Sequence, residues 1–279
     1  MALWVACLCM TTAAQADQGK CIRVFDGTAY VRKPDLSSRG IEKANIIEPD
    51  RYWPKGPDDD DLPDPRATQE WLRRIRAKQG LLILDVERWW LGGSNDADVR
   101  EALRRYITIF DWLRAAGYYD PMGYYGAMPN YNPEGFTHPE GSPQRALWRK
   151  ENDRIQRLAD RVDILFPSLY TYDGDTASWE KRAIATLQEA KRMAHGKPVY
   201  PFIWPQYEGV KNPLGLHYMP RDQWARELEV ISQNADGMVI WGGIQLHAQD
   251  PAPDWDESAP WWQATLEFLT HQHLCSGER

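Results

Sequence analysis

Short apolar runs alternate with longer amphipathic stretches along this chain. The runs Cys21–Asp26, Ala44–Ile47, Leu81–Val86, Pro121–Tyr125, Asp163–Pro167, Pro198–Trp204 and Gly237–Trp241 are apolar almost throughout in several cases, as strands buried on both faces should be. Between them apolar positions return every three or four residues. Val99, Leu103, Tyr106, Ile107, Phe110 and Leu113 form one such series, Trp179, Ala183, Ile184, Leu187 and Ala190 a second, and Trp224, Leu228 and Ile231 a third. That spacing predicts amphipathic helices. A shorter pattern at Trp71, Leu72 and Ile75 precedes the third strand. Strand followed by helix, repeated without a second compositional regime, predicts a parallel sheet. Seven or eight such units within 279 residues predict an α/β fold closed as a distorted TIM-type (β/α) barrel rather than an open sheet.

The first 16 residues stand apart. Ala2 to Ala14 is apolar and small, and Ala14-Gln15-Ala16 offers an A-x-A cleavage site before Asp17. Residues 1–16 therefore read as a signal peptide and 17–279 as one barrel domain of a secreted or periplasmic protein. Cys7 and Cys9 fall in the leader, which leaves Cys21 and Cys275 at opposite ends of the mature chain. In an oxidising compartment such a pair suggests a single bridge closing the fold, the alternative being two unrelated buried thiols. Closing a loop of that size stabilises by several kcal/mol in the chain-entropy model.

Charge and motifs remove several classes of function. With 40 acidic and 33 basic residues the net charge is −7, which argues against non-specific nucleic-acid binding. No apolar run reaches the length of a membrane span. G-x-S-x-G, a phosphate-binding glycine loop, H-E-x-x-H and zinc-type Cys/His spacing are all missing, so no cofactor or metal is expected. The loop from Glu48 to Pro65 carries Asp58-Asp59-Asp60-Asp61. These aspartates lack the alternating ligands and the glycine of a calcium loop and read as a solvated run. His271 and His273 read as surface residues. The 14 Trp and 13 Tyr against 6 Phe favour rings with a polar handle over plain core filler, a bias that suits stacking on sugars.

In a parallel barrel, chemistry sits at the C-terminal ends of the strands. The third strand ends Leu84-Asp85-Val86-Glu87. Strand residues two apart share a face, with α-carbons about 6.6 Å apart, so Asp85 and Glu87 both point to the barrel mouth. The drier of two neighbouring carboxylates acquires a raised pKa and can act as a general acid near neutral pH, as glycosidic cleavage requires. D-x-E alone equally fits a carboxylate paired with Arg88. Four later strand ends supply rings: Gly123-Tyr124-Tyr125-Gly126 with Tyr131 beyond it, Phe166-Pro167-Ser168-Leu169-Tyr170, Trp204 with Tyr207, and Ile240-Trp241-Gly242. Converging on one mouth, they make a sugar cleft the better reading. A further pair, Trp261-Trp262 after Asp254-Trp255-Asp256-Glu257, fits either another subsite or a helix start packed under the barrel.

Asp85-Val86-Glu87-Arg88-Trp89, Gly123-Tyr124-Tyr125-Gly126, Phe166-Pro167-Ser168-Leu169-Tyr170 and Val239-Ile240-Trp241-Gly242 resemble, in order and placement, the hyaluronidases of glycoside hydrolase family 56. The resemblance runs from about Leu81 to Gly243. It implies a secreted, endo-acting enzyme on an N-acetylhexosamine polysaccharide of hyaluronan or chondroitin type. It further implies Glu87 as acid/base, and Asp85 as the group that orients the substrate's acetamido arm, which itself attacks the anomeric carbon. Tyr125 and Tyr170 match tyrosines that contact that sugar, and Trp241 matches the wall of the acetamido pocket. Trp89, Tyr131, Trp204 and Tyr207 are expected to add stacking surface. Trp90 stands where the family has Arg, Asn130 stands roughly where it has its second structural cysteine, and Cys21 precedes the first strand rather than following it. A hyaluronan groove should be basic, whereas this chain is acidic, with Arg88, Lys211 and Arg221 as local cations. The expected partner is thus a polysaccharide bound by a monomer. Two other readings fit the D-x-E: a muramidase of glycoside hydrolase family 25, and a catalytically inactive barrel that only binds glycans.

Overall fold

The computed structural model describes residues 21–47, 62–66, 80–209, 212–243 and 251–275. The leader, Lys211, most of the Glu48–Pro65 loop with its four aspartates, and the pattern at Trp71, Leu72 and Ile75 lie outside the described residues.

Strands β1 (Arg23–Thr28), β2 (Ile41–Lys43), β3 (Asn45–Ile47), β4 (Leu82–Leu84), β5 (Met122–Tyr124), β6 (Phe202–Ile203) and β7 (Gly237–Gly242) form two sheets, ordered β2-β1-β7-β6 and β3-β4-β5. All pairs are parallel. β2 and β3 are one extended segment broken only at Ala44; its first half pairs with β1 and its second with β4. On the far side the sheets are joined by single bridges, Tyr125 to Phe166, Leu165 to Val199 and Ser168 to Phe202. Together these give the distorted (β/α) barrel. The expected strand at Asp163–Pro167 is present only as bridges. Pro167, and Pro198 and Pro201 opposite it, have no N–H to give, so a continuous ladder cannot form there.

Side chains alternate between two packed layers. Phe25, Ile83, Ile164, Phe166, Tyr200, Phe202 and Val239 fill the barrel interior. Val24, Leu82, Leu84, Leu165, Ile203 and Ile240 point outward into the layer shared with the helices. Filling the interior with rings demands close strand approach elsewhere. Gly123 supplies it, since a β-carbon there would stand 2.1 Å from the Ile164 carbonyl oxygen.

The helices are α1 (Asp96–Ala115), α2 (Pro133–Thr137), α3 (Pro143–Arg154), α4 (Gln156–Arg161), α5 (Thr176–Ala194), α6 (Arg221–Asn234) and α7 (Pro260–His271). Asn95 caps α1 by accepting from the Ala97 N–H, and Asp175 caps α5 by accepting from that of Ser178. Such caps satisfy otherwise orphaned amides, each worth about 1 kcal/mol. The predicted periodic faces are the buried ones, with Val99, Leu103, Tyr106, Phe110 and Leu113 of α1 turned to the barrel. Each large apolar side chain so buried contributes about 1.5–3 kcal/mol. Trp261 and Trp262 are buried at the start of α7, which settles them as packing. Cys21 and Cys275 are joined across 254 residues of sequence, and the adjoining Ile22 bridges Leu274 in parallel.

Candidate active site

The mouth is built from continuations of the strands. The ladder of β4 runs one residue further, where the Asp85 N–H donates to the Ile47 carbonyl at 2.9 Å. Alternation then sets the faces: Leu84 and Val86 enter the outer layer, while Asp85 and Glu87 follow Ile83 onto the inner one. The turn is fastened from α1. The Tyr106 hydroxyl donates to the Val86 carbonyl at 2.6 Å, and the Tyr124 hydroxyl donates to the Tyr106 carbonyl at 2.7 Å. This pins the two carboxylates to the rigid part of the fold. Glu87 leans over Gly126, with Oε1 3.8 Å from where a β-carbon would be.

Four rings form one wall. Tyr125 and Tyr170 have centroids 5.8 Å apart, Tyr170 lies nearly parallel to Trp241 at 5.7 Å, and Trp204 meets Trp241 edge-on at 4.9 Å. The Tyr125 hydroxyl reaches the Ser168 hydroxyl at 3.2 Å. Gly242, at φ 145°, lets the chain pass Trp204, a conformation only glycine takes easily. From behind, Trp179 donates to the Leu169 carbonyl at 2.9 Å and Arg182 to the Tyr170 carbonyl at 2.7 Å, so α5 holds the Tyr170 loop.

A third carboxylate, Glu208, joins the site from beyond β6. Its N–H donates to the Thr171 carbonyl at 2.7 Å. The period of two from Phe202 through Trp204 and Gln206 turns Glu208 inward, a signal already present in the sequence. Loss of hydration, and then the negative charge of Glu208, raise the pKa of Glu87 above the usual carboxylate range. Burial, then neighbouring Tyr125, then the charges of Asp85 and Glu208 push the Tyr170 phenol well up, keeping it a neutral donor. Tyr125 is also raised, chiefly by burial.

One expected stacking residue, Tyr207, lies away from the mouth. The same alternation that turns Glu208 inward turns Tyr207 outward, into the helix-facing layer, where its hydroxyl donates to Gln223 of α6 at 2.8 Å. Trp89 packs edge-on against Tyr106 at 5.4 Å and is mostly buried, yet it lines the groove beside Glu87; its neighbour Trp90 is the more exposed ring. Trp204 is buried beneath Trp241 and serves as backing for the wall. Tyr131 is exposed as expected. Beside Glu87 a groove of about 360 Å³ runs between Trp89, Trp90, Tyr125, Asn130 and Tyr131. Among the described residues no cluster of His, Cys, Asp or Glu could hold a metal ion, and no helix is long and apolar enough to cross a membrane.

A parallel barrel with carboxylates and rings at its C-terminal mouth defines the architectural class, and comparison with known proteins narrows it. No family model matches the chain. It is similar to a hyaluronidase of Polybia paulista, 24% identical over 164 residues covering 55% of each chain. It is also similar to one of Apis mellifera, 26% identical over 166 residues covering 55% of this chain and 42% of that protein. The chain thus spans about half the length of the curated relatives it matches. Among solved structures, bee venom hyaluronidase superposes with a TM-score of 0.59 at 18% identity, covering 79% of this chain and 91% of that one. Its complex with a hyaluronic acid tetramer gives 0.57 at 16%, over 90% and 97%. An endo-1,4-β-D-mannanase of Thermotoga petrophila gives 0.50 at 14%, over 89% and 91%. The fold is that of TIM-barrel glycoside hydrolases.

Proposed function

We propose that this chain is an exported glycoside hydrolase that cleaves N-acetylhexosamine-containing polysaccharide internally, with retention of configuration. The observation that carries the reading is the placing of Asp85 and Glu87 on one inner face at the end of β4, beside the Tyr125–Tyr170–Trp241 wall. Glu87 has the raised pKa that a proton donor needs. In the first step it protonates the leaving glycosidic oxygen while the acetamido oxygen of the same sugar attacks the anomeric carbon, so the C–O bond breaks as an oxazoline-type ring forms. Asp85 holds the acetamido N–H and takes up the positive charge that develops there. Glu87, now ionised, removes a proton from water, which opens the ring and restores the acetamido group. No protein nucleophile is needed, which departs from the two-carboxylate scheme. Tyr125 and Tyr170, neutral donors, and the face of Trp241 surround the acetamido arm. The names of the curated relatives put hyaluronan among the candidate polymers. Export is supported by the Cys21–Cys275 disulfide, a bond that persists in oxidising compartments.

The test is release of reducing ends from hyaluronan, chondroitin, chitin oligomers and peptidoglycan by the wild type, Glu87→Gln and Asp85→Asn, with products read by mass spectrometry. Saturated products from an amino-sugar polymer are expected, with Glu87→Gln down about 10²- to 10⁴-fold and Asp85→Asn severely impaired. An Asp85→Asn variant that kept most of its activity would sink the acetamido mechanism. Cleavage of peptidoglycan alone would favour a muramidase.

A further inference from the structure

Resting on that reading, we propose that the mouth takes a neutral N-acetylhexosamine polymer and turns away polyanionic ones. Trp90 and Tyr131 would act as a stacking platform next to Glu87, and Glu208 as the residue that rejects acidic sugars. Three carboxylates, Asp85, Glu87 and Glu208, meet at the mouth. In the groove beside Glu87, Arg88 is the one cation among the lining residues. Among the described residues, Arg182 sits behind the wall. Its guanidinium donates to the Tyr170 carbonyl at 2.7 Å, lies 5.6 Å over the Tyr172 ring, and faces Glu227 and Glu208. Its charge is thus turned to the protein.

What the groove offers instead is aromatic surface. Trp90 is 62% exposed and Tyr131 51%, with Tyr172 at 40% beside Glu208. Large rings left in water at the lip of a groove suit the apolar faces of uncharged sugar rings. An alternating uronate polymer would bring a carboxylate at every second sugar past Asp85 and Glu208, where partial exclusion of water strengthens like-charge repulsion.

The experiment measures binding of chitin-derived hexasaccharide, hyaluronan hexasaccharide and chondroitin hexasaccharide to Glu87→Gln protein by calorimetry, at low and high salt, together with cleavage of each by the wild type. The neutral oligosaccharide is expected to bind with an affinity that salt leaves alone. Adding Trp90→Ala should weaken it about tenfold. The anionic sugars are expected to bind at least about tenfold more weakly at low salt, recovering as salt rises or when Glu208→Gln is added. Tighter hyaluronan or chondroitin binding that falls with salt would overturn the inference, as would undetectable binding of the neutral oligosaccharide. The two readings fail separately. Neutral-sugar binding without cleavage by the wild type leaves this inference standing and defeats the hydrolase, whereas cleavage of hyaluronan alone does the reverse.

Discussion

Replacing Glu227 with Gln should stabilise the protein in alkaline solution and leave it unchanged in acid. Glu227 lies fully buried on α6, where its Oε1 accepts from the Thr171 hydroxyl at 2.8 Å. Burial raises its pKa from 4.5 to about 8, against the smaller opposing pulls of Thr171, Arg182 and Gln223. The unfolded chain ionises this carboxyl above its ordinary pKa, while the folded chain holds the proton until about pH 8. Between those limits the native state binds more protons than the unfolded one, so stability falls as pH rises and levels off above the folded value. Worked through the linkage relation, the difference amounts to about 3 kcal/mol at pH 7 and about 5 kcal/mol at pH 9. Gln keeps the shape and the acceptor for Thr171 without a proton to lose. Denaturant unfolding of both proteins from pH 4 to pH 9 isolates this group, because every other titration is common to the pair. Curves that coincide near pH 4 and separate progressively toward pH 9 are expected. A gap that stays within about 1 kcal/mol throughout would show that Glu227 is ionised in the native protein with Arg182 as its counter-charge, and the reasoning would fall.

Glu208→Gln removes a negative charge that helps keep Glu87 protonated, so the alkaline limb of the kcat–pH profile should move to lower pH; a limb that stays or moves upward would dismiss Glu208 as a partner of the acid. Tyr207→Phe should leave turnover unchanged and cost about 1–2 kcal/mol of stability by stranding Gln223, whereas a selective loss of kcat or KM would return Tyr207 to the site. Cys21→Ser with Cys275→Ser should lower the unfolding free energy by up to about 5.5 kcal/mol, given the 254-residue separation they close; a denaturation midpoint like that of the wild type would contradict that accounting.

Most strands are readable as short apolar runs, β2 (Ile41-Glu42-Lys43) being too short and polar to stand out, and the pairing of Asp85 with Glu87 follows from the two-residue period alone. What escaped reading did so for local reasons. α2, α3 and α4 carry no apolar stripe: α3 buries Arg145, Trp148 and Asn152, so its inward face looks polar in the sequence. The Asp163–Pro167 run has strand character, but its prolines reduce the ladder to bridges. In Trp204-Pro205-Gln206-Tyr207-Glu208 the choice of Tyr207 followed ring chemistry, where counting by twos from Trp204 selects Glu208. Trp89 and Trp90 are indistinguishable by composition; the Tyr106 hydroxyl from α1 decides which of them is drawn inside.

The disulfide carries a consequence for handling the molecule. Cys21 precedes β1, and Ile22 bridges Leu274, so both flanks of the barrel emerge together at the N-terminal ends of the strands. The groove opens at the opposite pole. A resin linkage or reporter domain attached through either flank therefore leaves the mouth facing solution. A short peptide joining the two flanks, with new ends cut in a helix-side loop, should give a circular permutant whose site geometry is untouched.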